Sequence, residues 1–375
     1  MAMSFGVLST FPPTQCGIAT FAQALTTHLE GVGAEVGIVR VVDTPQPPEP
    51  SVVHQLVIGA PSSAAAAAHV LSSYDVAIVQ HEYGIFGGAD GEDVLDVVDR
   101  LDVPFIAVLH TVLTRPTRHQ HEVLDRLVHA ASAIVTMTET ARQRLISGWV
   151  VHPSRVTVIA HGAEDNRTEA YERPSYDPPT ILTWGLLGQG KGIEWALQAM
   201  AELHDLDPRP VYRIVGQTHP RVLERDGEAY RESLLGLTDD LGLRDSVRFD
   251  GHYLAGPALR RIVREADIVL LPYDSREQVT SGVLTEAVAA GKPVVSTTFP
   301  HAVELLSGGA GLLVPQRDPV ALAAALRRVL TEPGLSSAMG ATARGLAPSL
   351  LWPAVARQYV SLGRSLRGAG KLSVA

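Results

Sequence analysis

Short apolar runs alternate with helix-patterned stretches along nearly the whole chain, and the alternation breaks once and then restarts. In the first half the runs 5–8, 36–42, 76–79, 104–109, 133–136 and 156–159 are mainly apolar, interrupted by Arg40 and Thr157, and read as buried strands. Between the first two, Ile18, Phe21, Ala22, Leu25 and Leu29 recur at the spacing that lines one face of a helix, and Gly31 and Gly33 end it. Strands alternating with helices predict a parallel sheet covered on both sides. Residues 164–179 interrupt the pattern with Pro174, Pro178 and Pro179 and no apolar periodicity. Strand-like runs then resume at 180–184, 211–215, 247–249, 268–271, 293–296 and 312–314.

Two such halves predict an α/β protein of two Rossmann-like, doubly wound domains: an N-terminal one over 1–165, a linker over 166–179 and a C-terminal one over 180–349. A length of 375 residues suits two cores of ordinary size. Ligands of open parallel sheets lie beyond the carboxyl ends of the strands, so two facing sheets are expected to enclose a central cleft. A last helix at about 350–366, with Trp352 near its start, is expected to return to the first domain. The alanine run 64–68 reads as a surface helix, and 368–375 as a frayed tail.

Hydrophobic residues at 46% and charged ones at 19% describe a packed protein rather than a disordered one. The net charge of −9 gives the chain no overall attraction for nucleic acid or anionic lipid. The single cysteine, Cys16, excludes an internal disulfide and a thiolate metal cluster, which fits a reducing compartment. Residues 1–9 lack the charged-then-apolar profile of a signal peptide, and no apolar run reaches the roughly 20 residues that span a bilayer. A cytoplasmic location is expected, with peripheral attachment to the inner face of the membrane left open. Only Lys191, Lys292 and Lys371 are lysines among the 31 basic residues, so each position draws attention.

Three loops and one strand end carry the chemistry. In the loop 9–18, Gly17 just before a helix lets the backbone approach a ligand, and the free helix amides favour negative charge. It lacks G-x-G-x-x-G, and a tight turn ending a strand explains it equally well. The second loop presents Gly188, Gly190, Lys191 and Gly192 between a strand and a helix, where amides and an ammonium converge on a diphosphate. It is not a P-loop, because neither Ser nor Thr follows the lysine. The third segment, 273–287, follows a strand. Thr280 or Ser281 is expected to cap the helix after it, with the amides of Ser281 and Gly282 facing an anion. Glu286 lies inside that helix among apolar neighbours, where a ribose hydroxyl, an arginine or a backbone amide would satisfy it. His110 stands at the end of the strand 104–109, and Gln80, His81, Glu82 and Tyr83 occupy the same edge one strand earlier. His119 and His121 form H-x-H with no further ligand pattern, so no metal site is expected.

Taken in order, these segments resemble the retaining glycosyltransferases of family 4, which have the GT-B fold. The resemblance rests on the glycine–lysine–glycine loop at 190–192 and the glutamate segment 284–287. It extends to 289–296 and 311–315, to the Gly17 loop, to His110 and to the returning helix with Trp352. It implies a hexosyltransferase that takes a nucleotide-diphosphate sugar, GDP-mannose or UDP-glucose, as co-substrate without a metal or other cofactor. It implies a saccharide, lipid-linked or small-molecule acceptor. Lys191 would bind the donor diphosphate and Glu286 the ribose. Gly17, Gly190, Thr280, Ser281 and Gly282 would complete the donor site. His110 would contact the transferred sugar, with Gln80, His81, Glu82 and Tyr83 on the acceptor side. Two positions depart from the family. Its first glutamate falls on Gln278, beside Glu277, and Leu186 replaces an arginine that contacts phosphate.

A nucleotide-sugar 2-epimerase and a donor-binding protein without transfer activity share the architecture. The first needs acid–base carboxylates around a sugar ring, of which no convincing set is visible. The second is motivated by Gln278 and Leu186.

Overall fold

The strands form two wholly parallel sheets in the computed structural model, which describes residues 2–167, 177–254 and 256–372. The first sheet contains β1 (Ser4–Ser9), β2 (Glu35–Val42), β3 (Val52–Val57), β4 (Val76–His81), β5 (Phe105–Leu109), β6 (Ala133–Thr136) and β7 (Val156–Val158), in the order β3-β2-β1-β4-β5-β6-β7. The second contains β8 (Thr180–Trp184), β9 (Val211–Val215), β10 (Val247–Asp250), β11 (Ile268–Leu271), β12 (Val294–Thr297) and β13 (Gly311–Val314), in the order β10-β9-β8-β11-β12-β13. Strand direction never changes, so every connection is a crossover, and helices cover both faces of each sheet. The order reverses between β1 and β4 and again between β8 and β11. Those two places are where loops diverge and a ligand crevice forms.

The chain divides into one unit of Met1–Gly162 with Trp352–Ala375 and another of Ala163–Leu351. The stretch 166–179 falls mostly on residues outside those described. At its start, Asn166 is tied into the second unit: its amide donates to the Arg260 carbonyl at 3.0 Å and its oxygen accepts from Arg264 at 2.8 Å.

In the first unit, the helix Gly17–Gly31 lays Phe21, Leu25 and Leu29 against β1 and against Val355, Ala356 and Tyr359 of the last helix, Trp352–Leu372. These residues form one core with Phe5, Val7 and Ile78. The last helix therefore completes the first unit, and it runs six residues beyond the expected end at 366. In the second unit Ile193, Leu197, Ile214, Leu270 and Leu326 fill the core.

Two details differ from the sequence expectations. The alanine run belongs to the helix Ser63–Leu71, but Ala67, Ala68 and Leu71 are buried, so this helix packs one face on the sheet instead of lying on the surface. The strand β3 went unread because Val52–Val57 is an edge strand carrying His54 and Gln55, without a continuous apolar run. Among the described residues, no helix is long and apolar enough to cross a membrane.

Candidate functional site

In the second unit, the loops leaving β8 and β11 flank the point where strand order reverses. Gly192 begins the helix Ile193–Ala201 in a left-handed conformation, φ +66°. A Cβ there would sit 1.9 Å from the Pro272 carbonyl oxygen, a backbone atom that cannot swing away. The Asp274 amide donates to the Gly190 carbonyl at 2.9 Å, which joins the glycine loop to the segment after β11. Lys191, between the two glycines, reaches over the Tyr273 ring with Nζ 4.4 Å from its centroid. Burial lowers the lysine to about 8. It is a charge held by a ring face, with no carboxylate against it among the described residues, and an incoming anion would supply the missing counter-charge.

The helix Gly282–Ala289 starts on Ser281, whose hydroxyl accepts the Leu284 amide at 3.2 Å. The Ser281 amide was expected to face an anion, but it donates to His301 Nδ1 at 2.8 Å, so the imidazole has taken it. The donors left in the first turn are Gly282 and Val283, which have no intrahelical partner. Thr280 Oγ1 is buried without a hydrogen bond among the described residues. Glu286, one turn further on, accepts a hydrogen bond from the Trp184 side chain. Burial raises its carboxyl to about 7; the Trp184 bond works against that rise and the Glu164 charge adds to it. Tyr273, fully buried, places its hydroxyl near Ser281 and Glu286 while its ring carries Lys191. One tyrosine thus brings the two principal expected residues to a common place.

Glu277 and Gln278 lie in the half-buried stretch before that helix. The stretch is pinned from the β13 end: Arg317 Nε donates to Asp274 at 2.6 Å and Gln316 to the Ser275 carbonyl at 2.9 Å. Arg317 holds a left-handed backbone, φ +59°, to do so. Nearby, Trp184, Gly216, Tyr253, Leu254 and Leu259 line a small apolar cleft at the ends of β8 and β9. Lys292 takes no part. Its ammonium donates to the carbonyls of Arg264 and Ala266 and so caps the helix Gly256–Glu265.

In the first unit, the expected residues gather at the ends of β4 and β5. His110 Nε2 lies 2.7 Å from Gln80 Oε1, and its amide donates to the His81 carbonyl at 3.1 Å. Its ring meets Phe21 edge-on at 4.9 Å, and Phe21 meets His161 and Trp352 in the same way. Burial, with repulsion from His161 and His81 whenever those rings are protonated, lowers His110 to about 3, so it is neutral at working pH. Of the four residues expected on the acceptor side, Gln80 and His81 are fully buried and offer no side chain to solvent, whereas Glu82 and Tyr83 are partly accessible. Glu82 accepts the Thr111 hydroxyl and the Tyr83 amide, and the Tyr83 hydroxyl donates to the Gln120 carbonyl at 3.4 Å. Gly17 is exposed at the start of its helix, where the Cys16 thiol accepts the Ala19 amide.

His119 lies between Asp90 and Glu92, and His121 stacks on Trp149 at 4.9 Å. Among the described residues no three His, Cys, Asp or Glu side chains cluster as a metal site. Sequence reasoning had no role for Tyr273, Trp184 or His301. The first two end or follow strands whose positions were legible, but a ring under an ammonium has no sequence pattern. His301 reaches Ser281 from 20 residues away, and no local spacing reports that contact.

Residues 16–167 match the family described as glycosyltransferase family 4, and residues 178–332 match that described as glycosyl transferases group 1. The D-inositol 3-phosphate glycosyltransferase of Frankia alni is 30% identical over 295 residues, 71% of this chain and 70% of its own. Among solved structures, sucrose-phosphate synthase of Thermosynechococcus elongatus superposes with a TM-score of 0.79 at 19% identity, covering 98% of this chain and 100% of that one. HepE of Anabaena, solved in complex with UDP and glucose, gives 0.76 at 16% identity, covering 97% and 100%.

Proposed function

The chain belongs to the group 1, family 4 glycosyltransferases and is a nucleotide-sugar-dependent hexosyltransferase of GT-B fold, and from that premise we propose that it is a retaining, metal-independent enzyme whose donor lies on the second unit. The observation that carries the donor reading is the convergence of Lys191, Tyr273 and Glu286 at the β8–β11 reversal. In this reading the Lys191 ammonium and the amides of Gly282 and Val283 receive the diphosphate. They stabilise the charge that grows on it as the glycosidic bond breaks. These fixed positive groups do the work a divalent cation does elsewhere. Glu286 accepts from the ribose hydroxyls, and the apolar cleft at Trp184, Tyr253 and Leu254 takes the flat base. Gln278 stands where the family's first glutamate falls and serves through its amide, with Glu277 beside it. The neutral His110 meets the transferred hexose. Retention follows from front-face attack, in which a donor phosphate oxygen takes the acceptor hydroxyl proton and the new bond forms on the face the nucleotide leaves.

UDP-glucose is the first donor proposed, because HepE was solved with UDP and glucose, and GDP-mannose is the second arm. D-inositol 3-phosphate is the first acceptor to try, since the Frankia relative is named for it. Incubation with each donor and acceptor in chelator tests the reading. Nucleotide release with a new α-glycoside supports it. Activity that appears only on adding a divalent cation, or a product of inverted configuration, removes the corresponding half.

A further inference from the structure

Gln80 lies on β4 with no exposed surface, and the donor reading gives it no task. Its Oε1 faces His110 Nε2 at 2.7 Å. An amide oxygen has no proton to give, so this contact forms only when the imidazole carries its hydrogen on Nε2. His110 Nδ1 is then a bare lone pair, and no hydrogen bond to it occurs among the described residues. The ring is also fixed in tilt: Phe21 stands edge-on to it, and its own amide is anchored to the His81 carbonyl. The titratable groups around it are His81 on β4 and His161 after β7, both neutral, because burial lowers each to about 4. Among the described residues no carboxylate stands against the ring to favour its charged form.

We propose that Gln80 is a positioning residue that locks His110 in the Nε2–H tautomer, so that Nδ1 accepts a hydrogen bond from a hydroxyl of the transferred hexose. The proposal rests on the reading that His110 meets the sugar. It narrows the donor class to hexoses with a hydroxyl donor at that place, since a deoxy or fluoro substituent has no proton to offer. A buried amide oxygen held against the imidazole selects one tautomer, whereas either nitrogen of an unsupported neutral ring can carry the proton. The Gln80 Nε2 atom has no partner among the described residues, so the side chain is not held in place by a second hydrogen bond of its own.

Nitrogen-15 histidine labelling of the whole protein tests this directly, with the His110 resonances identified by their loss in His110→Asn. From about pH 5.5 to about pH 8 the wild type is expected to show a protonated Nε2 and a bare Nδ1. Gln80→Leu should populate both tautomers and lower kcat/KM for UDP-glucose about tenfold, mostly in kcat, the effect of one mispositioned hydrogen bond. Gln80→Glu keeps an acceptor on Nε2 and should restore the tautomer. Its carboxylate should also pull the imidazole pKa upward, so that kcat/KM acquires an acid limb absent from the wild type. A residue that only fills the core would lower activity equally in both variants, with no change in pH profile. An Nδ1–H tautomer in the wild type, or an unchanged tautomer in Gln80→Leu, overturns the proposal. If Gln80→Leu does not fold, the wild-type spectrum and Gln80→Glu decide it. An Nε2–H tautomer together with wild-type turnover in His110→Asn would instead remove the sugar contact and leave the Gln80–His110 pairing standing.

Discussion

Lys191 Nζ sits 4.4 Å above the Tyr273 ring, and the hydroxyl of that same ring stands near Glu286. Desolvation acts on the two charged groups in opposite directions: it lowers the lysine to about 8 and raises the glutamate to about 7. Each shift favours the neutral form, and in the proposed donor site a diphosphate beside the lysine and ribose hydroxyls on the glutamate would favour the charged one.

Replacing Lys191 therefore separates stability from binding. A lysine whose folded pKa is depressed makes its full unfavourable contribution below about pH 8. The burden is relieved as pH rises from there toward the unfolded value. Lys191→Met should raise the melting temperature of the free protein at neutral pH. It should weaken UDP binding by about 10- to 100-fold, as expected for one charge-assisted hydrogen bond. Thermal shift with and without UDP measures both, and a free protein no more stable than the wild type would contradict the first half.

Glu286 gives the donor site a pH dependence of the opposite sign. In the proposed site only the carboxylate, not the acid, could accept from two ribose hydroxyls, so donor KM should fall as pH rises through about 7. A raised folded pKa also means that the free protein loses stability between the unfolded glutamate value and about 7 as pH rises. Glu286→Gln should flatten both profiles and raise donor KM about tenfold. A KM profile that stays flat across neutrality in the wild type would argue against the ribose contact.

The two glycines around Lys191 should respond unequally. Gly190 has φ +87° but open space where a Cβ would point, so Gly190→Ala carries only backbone strain, about 1 kcal/mol. Gly192→Ala adds a collision with the Pro272 carbonyl oxygen at 1.9 Å, which forces the β8 and β11 loops apart. Urea denaturation should show a loss at least twice as large for Gly192→Ala, together with loss of the UDP-induced thermal shift. Equal losses would mean that the loops are not packed as described.

Trp352 tests the first unit. It is 3% exposed and stands in the ring cluster with Phe21, His28 and His161. Trp352→Ala should cost about 3–5 kcal/mol, in the range for a large aromatic cut to alanine in a core. Because His110 shares Phe21 with this cluster, kcat should fall as well. A calorimetric loss under about 1 kcal/mol would contradict the packing.

Most of the strands were legible because each is largely buried and reads as a mainly apolar run, even where Arg40 or Arg213 interrupts it. β3 was not, because an edge strand has one side to itself and tolerates His54 and Gln55. Lys191 stood out through rarity, and Glu286 through its position inside an apolar helix. The partners that give them meaning were out of reach. Tyr273 under the ammonium, the Trp184 side chain on the carboxylate and His301 on the Ser281 amide all join residues from different crossovers. Gln80 was placed on the acceptor side because it ends a strand, but strand alternation alone did not reveal that its side chain turns inward to His110.

The first unit is sewn from segments on either side of the second in the chain. On the ribosome, then, Phe5, Val7 and Ile78 emerge long before the helix Trp352–Leu372 that shields them. The second unit has every strand of its sheet by residue 314 and its last helix by Leu350, before Trp352 is made. The first unit is thus begun first and sealed last, and a chain clipped before Trp352 would leave its Phe5, Val7 and Ile78 core uncovered.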